Sequence, residues 1–177
     1  ENCGSTHLEN LINEVKKSGA DLGIAHDGDA DRCLAVDADG NFVDGDQILA
    51  ILASGRKRNG ALVGNTVVAT VMSNLGFNIA MKELEIEVIA AAVGDRYVLE
   101  EMRTGGFTIG GEQSGHVVLS EFATTGDGVL TALHLMSEMK STGKSIAELA
   151  GIVNRLPQVL INVPNVDKES ISKSDVT

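Results

Sequence analysis

The chain has 177 residues, long enough to bury one or two hydrophobic cores. Its formal net charge of −11 and few aromatic residues exclude nucleic-acid binding through a basic face. No apolar run approaches the roughly 20 residues of a membrane helix. Its two cysteines, Cys3 and Cys33, cannot build a disulfide framework. These features predict a cytoplasmic protein with neither membrane nor nucleic-acid partners.

The hydrophobic pattern predicts helices and strands that alternate along most of the chain. The predicted elements, in order, are a helix at 7–17, strands at 22–25 and 32–36, a hairpin through 39–43, a helix capped by Asp46, a surface connection at 55–64, a strand at 66–70, a helix at 73–81, a strand at 87–91, a helix at 96–102, strands at 107–109 and 117–119, helices at 128–140 and 146–154, and a new element at 160–163. Strand followed by helix, three times from residue 66, favours a parallel sheet covered by helices. The predicted fold class is therefore α/β, with mixed, mainly parallel sheets.

An acidic run lies directly after the first predicted strand. Asp27, Asp29 and Asp31 are spaced two residues apart, which places all three carboxylates on one side if the backbone is extended. Three neighbouring anions repel one another unless a cation lies among them, and Mg²⁺ is the natural occupant of an all-oxygen site. Arg32 then stands beside the metal as a forked donor for a phosphate. The alternative is an acidic turn that binds no metal.

Other calcium- and phosphate-binding loops are excluded by spacing. An EF-hand requires a glycine directly after its third acidic ligand and a glutamate six residues later, but Arg32 and Ala38 occupy those positions. Thr142 to Ser145 is similar to the end of a P-loop, yet Glu138 stands where the first glycine of that motif is required.

The second informative segment is the polar run 110–116. Glu112, Gln113, Ser114 and His116 lie among glycines, and together they offer a carboxylate, an amide, a hydroxyl and an imidazole. This donor and acceptor set suits a polyhydroxylated ligand such as a sugar, because each hydroxyl needs a polar partner. A polar loop without a ligand is the alternative.

Two further segments give weaker signals. Gly94, Asp95 and Arg96 end a strand and open a helix, where Asp95 is either a simple helix cap or part of a site in which Arg96 reaches an anion. The segment 124–128 is interpreted as the turn before a helix.

The two main motifs together resemble the α-D-phosphohexomutases. Residues 27–32 are similar to the metal loop of that family, and residues 111–116 are similar to its sugar-binding loop. Gln113, with the segments 3–7 and 93–97, resembles the phosphoglucosamine mutase branch of the family. The order and intervals of these motifs also fit, over nearly the whole chain.

The resemblance implies an enzyme that interconverts glucosamine 6-phosphate and glucosamine 1-phosphate through a phosphoserine and a hexosamine bisphosphate intermediate. It implies that Asp27, Asp29 and Asp31 hold Mg²⁺ and that Arg32 contacts phosphate. It further implies that Glu112 and Ser114 bind sugar hydroxyls. The remaining residues implied to line the same cleft are His116, Gly94, Asp95 and Arg96.

Two family motifs do not occur in this chain: the Thr-x-Ser-His-Asn-Pro serine loop and the C-terminal Arg-x-Ser-Gly-Thr-Glu phosphate clamp. The chain also begins with Glu1 rather than methionine. We therefore expect an internal piece of a four-domain enzyme that is inactive by itself. The resemblance implies two phosphohexomutase-type α/β domains and the beginning of a third domain. Residues 1–60 would form part of a metal-binding domain, residues 61–157 a sugar-binding domain, and residues 158–177 the start of a phosphate-binding domain.

Two alternatives stay open at this point. One is a sibling specificity, for phosphomannose or phosphoglucose, against which Gln113 is the single contrary residue. The other is a non-catalytic metal- or sugar-binding module that never had a serine domain. A serine-loop segment encoded before Glu1 would favour the mutase. Homodimerisation of a full-length protein is also left open.

Overall fold

The computed structural model describes residues 4–5, 7–159 and 161, and these build two sheets and six α-helices. The elements in chain order are α1 Glu9–Ser18, β1 Leu22–Ala25, β2 Leu34–Asp37, β3 Phe42–Val43, α2 Gly45–Arg58, a short 3-10 helix Val63–Asn65, β4 Thr66–Thr70, α3 Leu75–Glu83, β5 Glu87–Ala91, α4 Asp95–Gly105, β6 Ile109–Gly111, β7 Val117–Leu119, α5 Gly128–Thr142 and α6 Ile146–Ala150. The predicted α/β class is confirmed. Within these residues, no helix combines the length and apolar character needed to cross a membrane.

The smaller sheet has the order β1-β2-β3 and is antiparallel throughout. The hairpin predicted through 39–43 is confirmed by the antiparallel pairing of β2 with β3. The physical reason for the antiparallel pairing is the length of the connections. Neither the β1–β2 loop nor the Asp39–Gly40 turn is long enough for the crossover that parallel neighbours require. Helix α1 packs on this sheet and ends at Gly19, which adopts the left-handed conformation of a helix cap.

The larger sheet has the order β5-β4-β6-β7. Strand β4 runs parallel to both β5 and β6, and β7 returns antiparallel to β6. The predicted strand at 107–109 lies two residues further along, at Ile109–Gly111, because Gly106 caps the end of α4 and the chain needs the next residues to reach the sheet. This shift places Gly110 and Gly111 inside the strand, directly before the polar segment.

Helix α2 lies at the centre of the molecule. Every residue from Gly45 to Ala53 is buried, as expected for a helix surrounded by other elements on all faces. It contacts α3, α5, α6 and β6, and its residues belong to one hydrophobic core that also includes Ala35 of the small sheet and Ile109 of the large one. This shared core holds the two sheets against each other.

Helix α2 begins two residues earlier than predicted. Asp44, rather than Asp46, is the capping residue, because the Asp44 side chain accepts a hydrogen bond from the Gln47 amide at 3.0 Å while the Gln47 side chain accepts one from the Asp44 amide at 3.2 Å. This reciprocal pair is a capping box. Asp46 instead lies in the first turn, where it is fully buried.

The predicted domain divisions after residues 60 and 157 stay predictions. The new element predicted at 160–163, and the C-terminal domain start predicted at 158–177, lie almost wholly outside the described residues.

Candidate active site

The acidic loop connects β1 to β2. It is not extended, because Ala30 has a φ of 58° in a turn closed by the Ala30 amide on the Asp27 carbonyl. The prediction that an extended backbone aligns the three aspartates is therefore wrong, although their carboxylates do lie close together. Asp27, Asp29 and Asp31 each offer a carboxylate oxygen, and these oxygens lie within 4.8 Å of one another. The turn, rather than the alternation of a strand, brings them together.

Positive groups within the loop itself only partly balance these carboxylates. The Arg32 amide donates to Asp27 Oδ1 at 3.2 Å, and Arg32 Nε lies 3.6 Å from Asp27 Oδ2 and 3.9 Å from Asp31 Oδ1. Such long, partly exposed ion pairs contribute little to stability. The Arg32 side chain stays 43% exposed, which leaves its guanidinium open to an incoming anion.

The two aspartates that flank the loop have opposite pKa shifts. Burial raises the pKa of Asp31, and the neighbouring Asp27 raises it further, while a hydrogen bond with His116 opposes the rise. Burial also acts to raise the pKa of Asp27, but hydrogen bonds from Asp31 and the Arg32 amide outweigh it and lower that pKa. Two carboxylates this close favour either a shared proton or a cation between them.

The acidic loop fits a divalent cation. Asp31 Oδ1 is buried and has no hydrogen-bond partner among the described residues, so a lone pair is left for a ligand. Three carboxylates with clustered oxygens provide the hard ligands that Mg²⁺ prefers. Their geometry therefore suits the metal predicted from the sequence.

The polar segment forms the turn of the β6–β7 hairpin. The Glu112 amide donates to the His116 carbonyl at 2.9 Å, and the Gly115 amide donates to the Glu112 carbonyl at 3.0 Å. His116 is only 3% exposed, Glu112 and Gln113 are half-buried, and Ser114 is exposed. The turn thus presents Glu112 and Ser114 outward while it draws His116 into the protein.

The structure brings the acidic loop and the polar turn into direct contact. Arg32 forms an antiparallel backbone bridge with His116, and the Cys33 amide donates to the Gly115 carbonyl at 3.0 Å. His116 Nδ1 lies 3.0 Å from Asp31 Oδ2. One oxygen of Asp31 is therefore held by the histidine, while the other accepts no hydrogen bond from the described residues.

The third predicted segment reaches the polar turn only through its backbone. The Gly94 amide donates to Glu112 Oε1 at 3.0 Å. By contrast, Asp95 accepts from the Arg96 amide at 2.6 Å, and the Arg96 guanidinium lies 4.6 Å from the centre of the Tyr97 ring. In the described residues, the side chains of Asp95 and Arg96 thus make local contacts and do not reach the acidic loop.

Sequence reasoning missed the part played by the segment 124–128, which it interpreted as a turn. The Gly128 amide donates to the Ala30 carbonyl at 2.9 Å, and a Cβ at Gly128 would lie 2.2 Å from the Arg32 carbonyl oxygen. A Cβ at Gly126 would lie 2.5 Å from the His116 ring. Two glycines within three residues were the signal for such close approach. His26, whose Nδ1 lies 2.8 Å from the Arg32 carbonyl, was also missed.

Cavity size does not locate this site. A cavity of about 820 Å³ lies on another part of the molecule, between the β1–β2 sheet and the α5–α6 connection, and candidate site residues do not line it. Its lining includes Leu22, Asp39, Met136 and Lys144. We therefore identify the site by the chemistry of the acidic loop and the polar turn.

The α/β fold, with the acidic loop in contact with the polar turn, is typical of the phosphohexomutase class of proteins. The family description "Phosphoglucomutase/phosphomannomutase, alpha/beta/alpha domain III" matches residues 44–156, and the corresponding description of domain II matches residues 1–40. The chain belongs to the phosphoglucomutase/phosphomannomutase family.

Similar sequences agree with this assignment. The chain is 62% identical to a phosphoglucosamine mutase of Rhodococcus opacus (strain B4) over 99% of its own length and 40% of that protein. It is 64% identical to a phosphoglucosamine mutase of a Nocardioides species over 94% of its length and 37% of that protein. The chain thus spans about 40% of the length of the curated relatives it matches.

Solved structures share the fold. A phosphoglucomutase/phosphomannomutase family protein from Burkholderia thailandensis has a TM-score of 0.73 and 27% identity, covering 85% of this chain and 32% of that one. An N-acetylphosphoglucosamine mutase from Aspergillus fumigatus, solved with GlcNAc-6P and magnesium, has a TM-score of 0.69 and 21% identity, covering 89% of this chain and 38% of that one. The second likeness is one of fold alone.

Proposed function

We propose that the full-length protein containing this chain interconverts glucosamine 6-phosphate and glucosamine 1-phosphate through a phosphoserine and a hexosamine bisphosphate intermediate. The contact between the acidic loop and the polar turn supports this proposal, because clustered carboxylates then lie beside a set of side chains suited to sugar hydroxyls. The 62% identity to proteins named phosphoglucosamine mutase supports the choice of substrate. The phosphoserine itself lies on a part of the protein that this sequence does not include.

In this proposal Asp27, Asp29 and Asp31 hold Mg²⁺ through their clustered oxygens. When bound, the metal supplies positive charge that neutralises the transferring phosphoryl group. His116 fixes the orientation of Asp31 by holding its Oδ2, which leaves Oδ1 directed to the cation. A hydrogen bond of this kind to a ligand carboxylate strengthens metal binding.

The remaining residues bind the sugar phosphate. Arg32 contacts phosphate, because its half-exposed guanidinium lies beside the metal site and matches the geometry of phosphate oxygens. Glu112 accepts hydrogen bonds from sugar hydroxyls, and the exposed Ser114 hydroxyl can both donate to them and accept from them. Gly94 lies beside them and acts through its N–H, His116 acts through Asp31, and Asp95 and Arg96 are proposed to face the substrate once the other domains are present.

Charge explains why this part needs the rest of the protein. A chain with a net charge of −11 repels a sugar phosphate, so other domains must supply much of the positive potential that draws it in. We propose the division given by the resemblance, with a metal-binding part at 1–60, a sugar-binding part at 61–157 and a phosphate-binding part that begins at 158. A cytoplasmic location and a homodimer are proposed from the same resemblance.

The test is turnover by the full-length protein on glucosamine 6-phosphate, mannose 6-phosphate and glucose 6-phosphate, with Mg²⁺ and a hexose bisphosphate activator. We expect kcat/KM to be highest for glucosamine 6-phosphate, by about tenfold or more, since a site with a matched polar partner discriminates strongly. A clear preference for either of the other two sugars would reject the proposed specificity and favour a sibling mutase.

The same assay on the isolated 177-residue chain separates the contributions of its parts. We expect no turnover, because the serine that transfers the phosphoryl group is absent from this sequence. Turnover by the isolated chain would contradict the proposed phosphoserine mechanism. Absence of turnover by the full-length protein on all three sugars would instead favour a binding module.

A further inference from the structure

Glu112 is held by a backbone amide from a different segment of the fold. The Gly94 N–H, between β5 and α4, donates to Glu112 Oε1 in the β6–β7 turn at 3.0 Å. Among the described residues, Glu112 Oε2 accepts no hydrogen bond from the protein. The two oxygens of this carboxylate therefore differ, since one is anchored and the other is available.

The backbone of Gly94 is in a conformation that favours glycine. Its φ is 126° and its ψ is 139°, a combination that L side chains rarely adopt. Space is not the limiting factor, because a Cβ here would lie 3.4 Å from its nearest neighbour, the Tyr97 ring. Glycine is therefore favoured at this position by the backbone φ and not by a lack of space.

Helix α4 fixes that direction. The Gly94 carbonyl accepts from the Tyr97 amide at 3.0 Å and from the Val98 amide at 3.3 Å, so Gly94 serves as the residue before the first helical turn. Val98 is fully buried and anchors the helix in the core. The Gly94 carbonyl is hydrogen-bonded within the helix, and the positive φ directs the Gly94 N–H toward the polar turn.

We infer that Gly94 is a positioning residue for sugar binding, whose N–H holds Glu112 Oε1 and thereby leaves Oε2 directed toward a sugar hydroxyl. This inference rests on the proposed function, in which Glu112 binds the sugar. Gly94 acts through its main chain alone, unlike Asp95 and Arg96, whose side chains make local contacts. A hydrogen bond to a charged carboxylate is among the stronger kinds and restricts its rotamers.

Amide hydrogen exchange in the full-length protein tests the bond directly. We expect the Gly94 amide to be protected in the wild type and to exchange about tenfold faster or more in Glu112→Ala, which removes the acceptor without changing the backbone. An unprotected Gly94 amide in the wild type, or protection unchanged by Glu112→Ala, would overturn the inference. This measurement needs no substrate.

Kinetics with glucosamine 6-phosphate test the consequence. We expect Gly94→Ala to raise KM by roughly tenfold with a smaller change in kcat, because strain at φ 126° turns the N–H away from Glu112. Gly106→Ala is the matched control. Gly106 ends the same helix at φ 69°, and a Cβ there meets open space, so it strains α4 without touching Glu112. An equal rise in KM for both variants would overturn the inference.

A double-mutant cycle separates a role through Glu112 from an independent one. If Gly94 acts through Glu112, Gly94→Ala lowers kcat/KM in the wild type but adds little in the Glu112→Ala background. Equal effects in both backgrounds would contradict the inference. If Gly94→Ala fails to fold, the exchange comparison decides. Wild-type protein inactive on every hexose phosphate would reject the proposed function, while the exchange result still reports on the bond.

Discussion

His116 Nδ1 lies 3.0 Å from Asp31 Oδ2, a contact between residues 85 positions apart in the sequence. It joins a histidine of the polar turn to a carboxylate of the acidic loop. Asp31 Oδ1 stays buried without a hydrogen-bond partner in the described part of the chain. The polar turn therefore helps to shape the acidic loop, and a change in either is expected to affect both.

Replacing His116 tests this coupling. In the full-length protein, His116→Ala is expected to weaken Mg²⁺ binding by about 10- to 100-fold, because Asp31 loses the hydrogen bond that orients it. Calorimetric titration with Mg²⁺ measures the effect. His134→Ala is the control, since His134 lies against Phe122 and away from the acidic loop. Unchanged Mg²⁺ affinity in His116→Ala would show that the contact does not support the metal site.

Asp29 is the most exposed of the three aspartates, and its replacement tests the proposed ligand set. Asp29→Asn removes one negative charge with little change in shape, and we expect kcat of the full-length protein to fall by at least about 100-fold with the melting temperature unchanged. Asp39→Asn, in the exposed β2–β3 turn, serves as the control. Full activity of Asp29→Asn would remove this residue from the metal site.

The close packing of the Gly128 backbone against the acidic loop is expected to require glycine at this position. A Cβ added there would lie 2.2 Å from the Arg32 carbonyl oxygen, which cannot move without displacing the acidic loop. Gly128→Ala is therefore expected to lower the free energy of unfolding by about 1–3 kcal/mol and to weaken Mg²⁺ binding. Gly151→Ala, whose Cβ would make contacts no closer than 3.4 Å, is expected to change neither. Equal melting temperatures for the two variants would contradict this account.

Asp46 is expected to make stability depend on pH. Burial raises the pKa of Asp46 to about 6 from 3.8, although the Asn74 amide donates to its Oδ2 at 2.6 Å. Since the folded-state pKa lies above the unfolded-state value, the stabilising contribution is complete below pH 3.8 and is lost as pH rises through about 6. The shift corresponds to roughly 3 kcal/mol.

Asp46→Asn removes this titration. Relative to the wild type, we expect its free energy of unfolding to rise by roughly 3 kcal/mol between pH 3.8 and 7. Denaturant unfolding of the 177-residue chain at a series of pH values gives the measurement. Asp39→Asn, exposed to solvent, should keep a constant difference from the wild type. If the free energy of unfolding of Asp46→Asn also differed from that of the wild type by the same amount at every pH, burial would not destabilise the Asp46 carboxylate.

The local pattern was sufficient to place most elements. Strands β1, β4, β5 and β7 have the bounds predicted from their apolar runs, since short apolar segments between turn residues leave few alternatives. Helix ends were less certain. At α2, two acidic residues compete for the capping position, and the Gln47 side chain selects Asp44.

The direction of the strands in the small sheet was predicted only in part. The turn signal at Asp39 and Gly40 predicted the hairpin that β2 and β3 form. The sequence argument assigned no direction to the pairing of β1 with β2. That pair is antiparallel because the connection between the two strands is too short for a parallel crossover.

The sequence by itself determined the chemistry of the candidate site: three carboxylates in one short loop, an arginine beside them, and a glycine-flanked polar turn. These follow from residue type and spacing within a few positions. Only the tertiary structure decided that Asp31 meets His116 and that the Gly94 amide reaches Glu112. These contacts join residues 85 and 18 positions apart. The first depends on how the two sheets pack around α2, and the second depends on the strand order of the larger sheet; no local pattern specifies either.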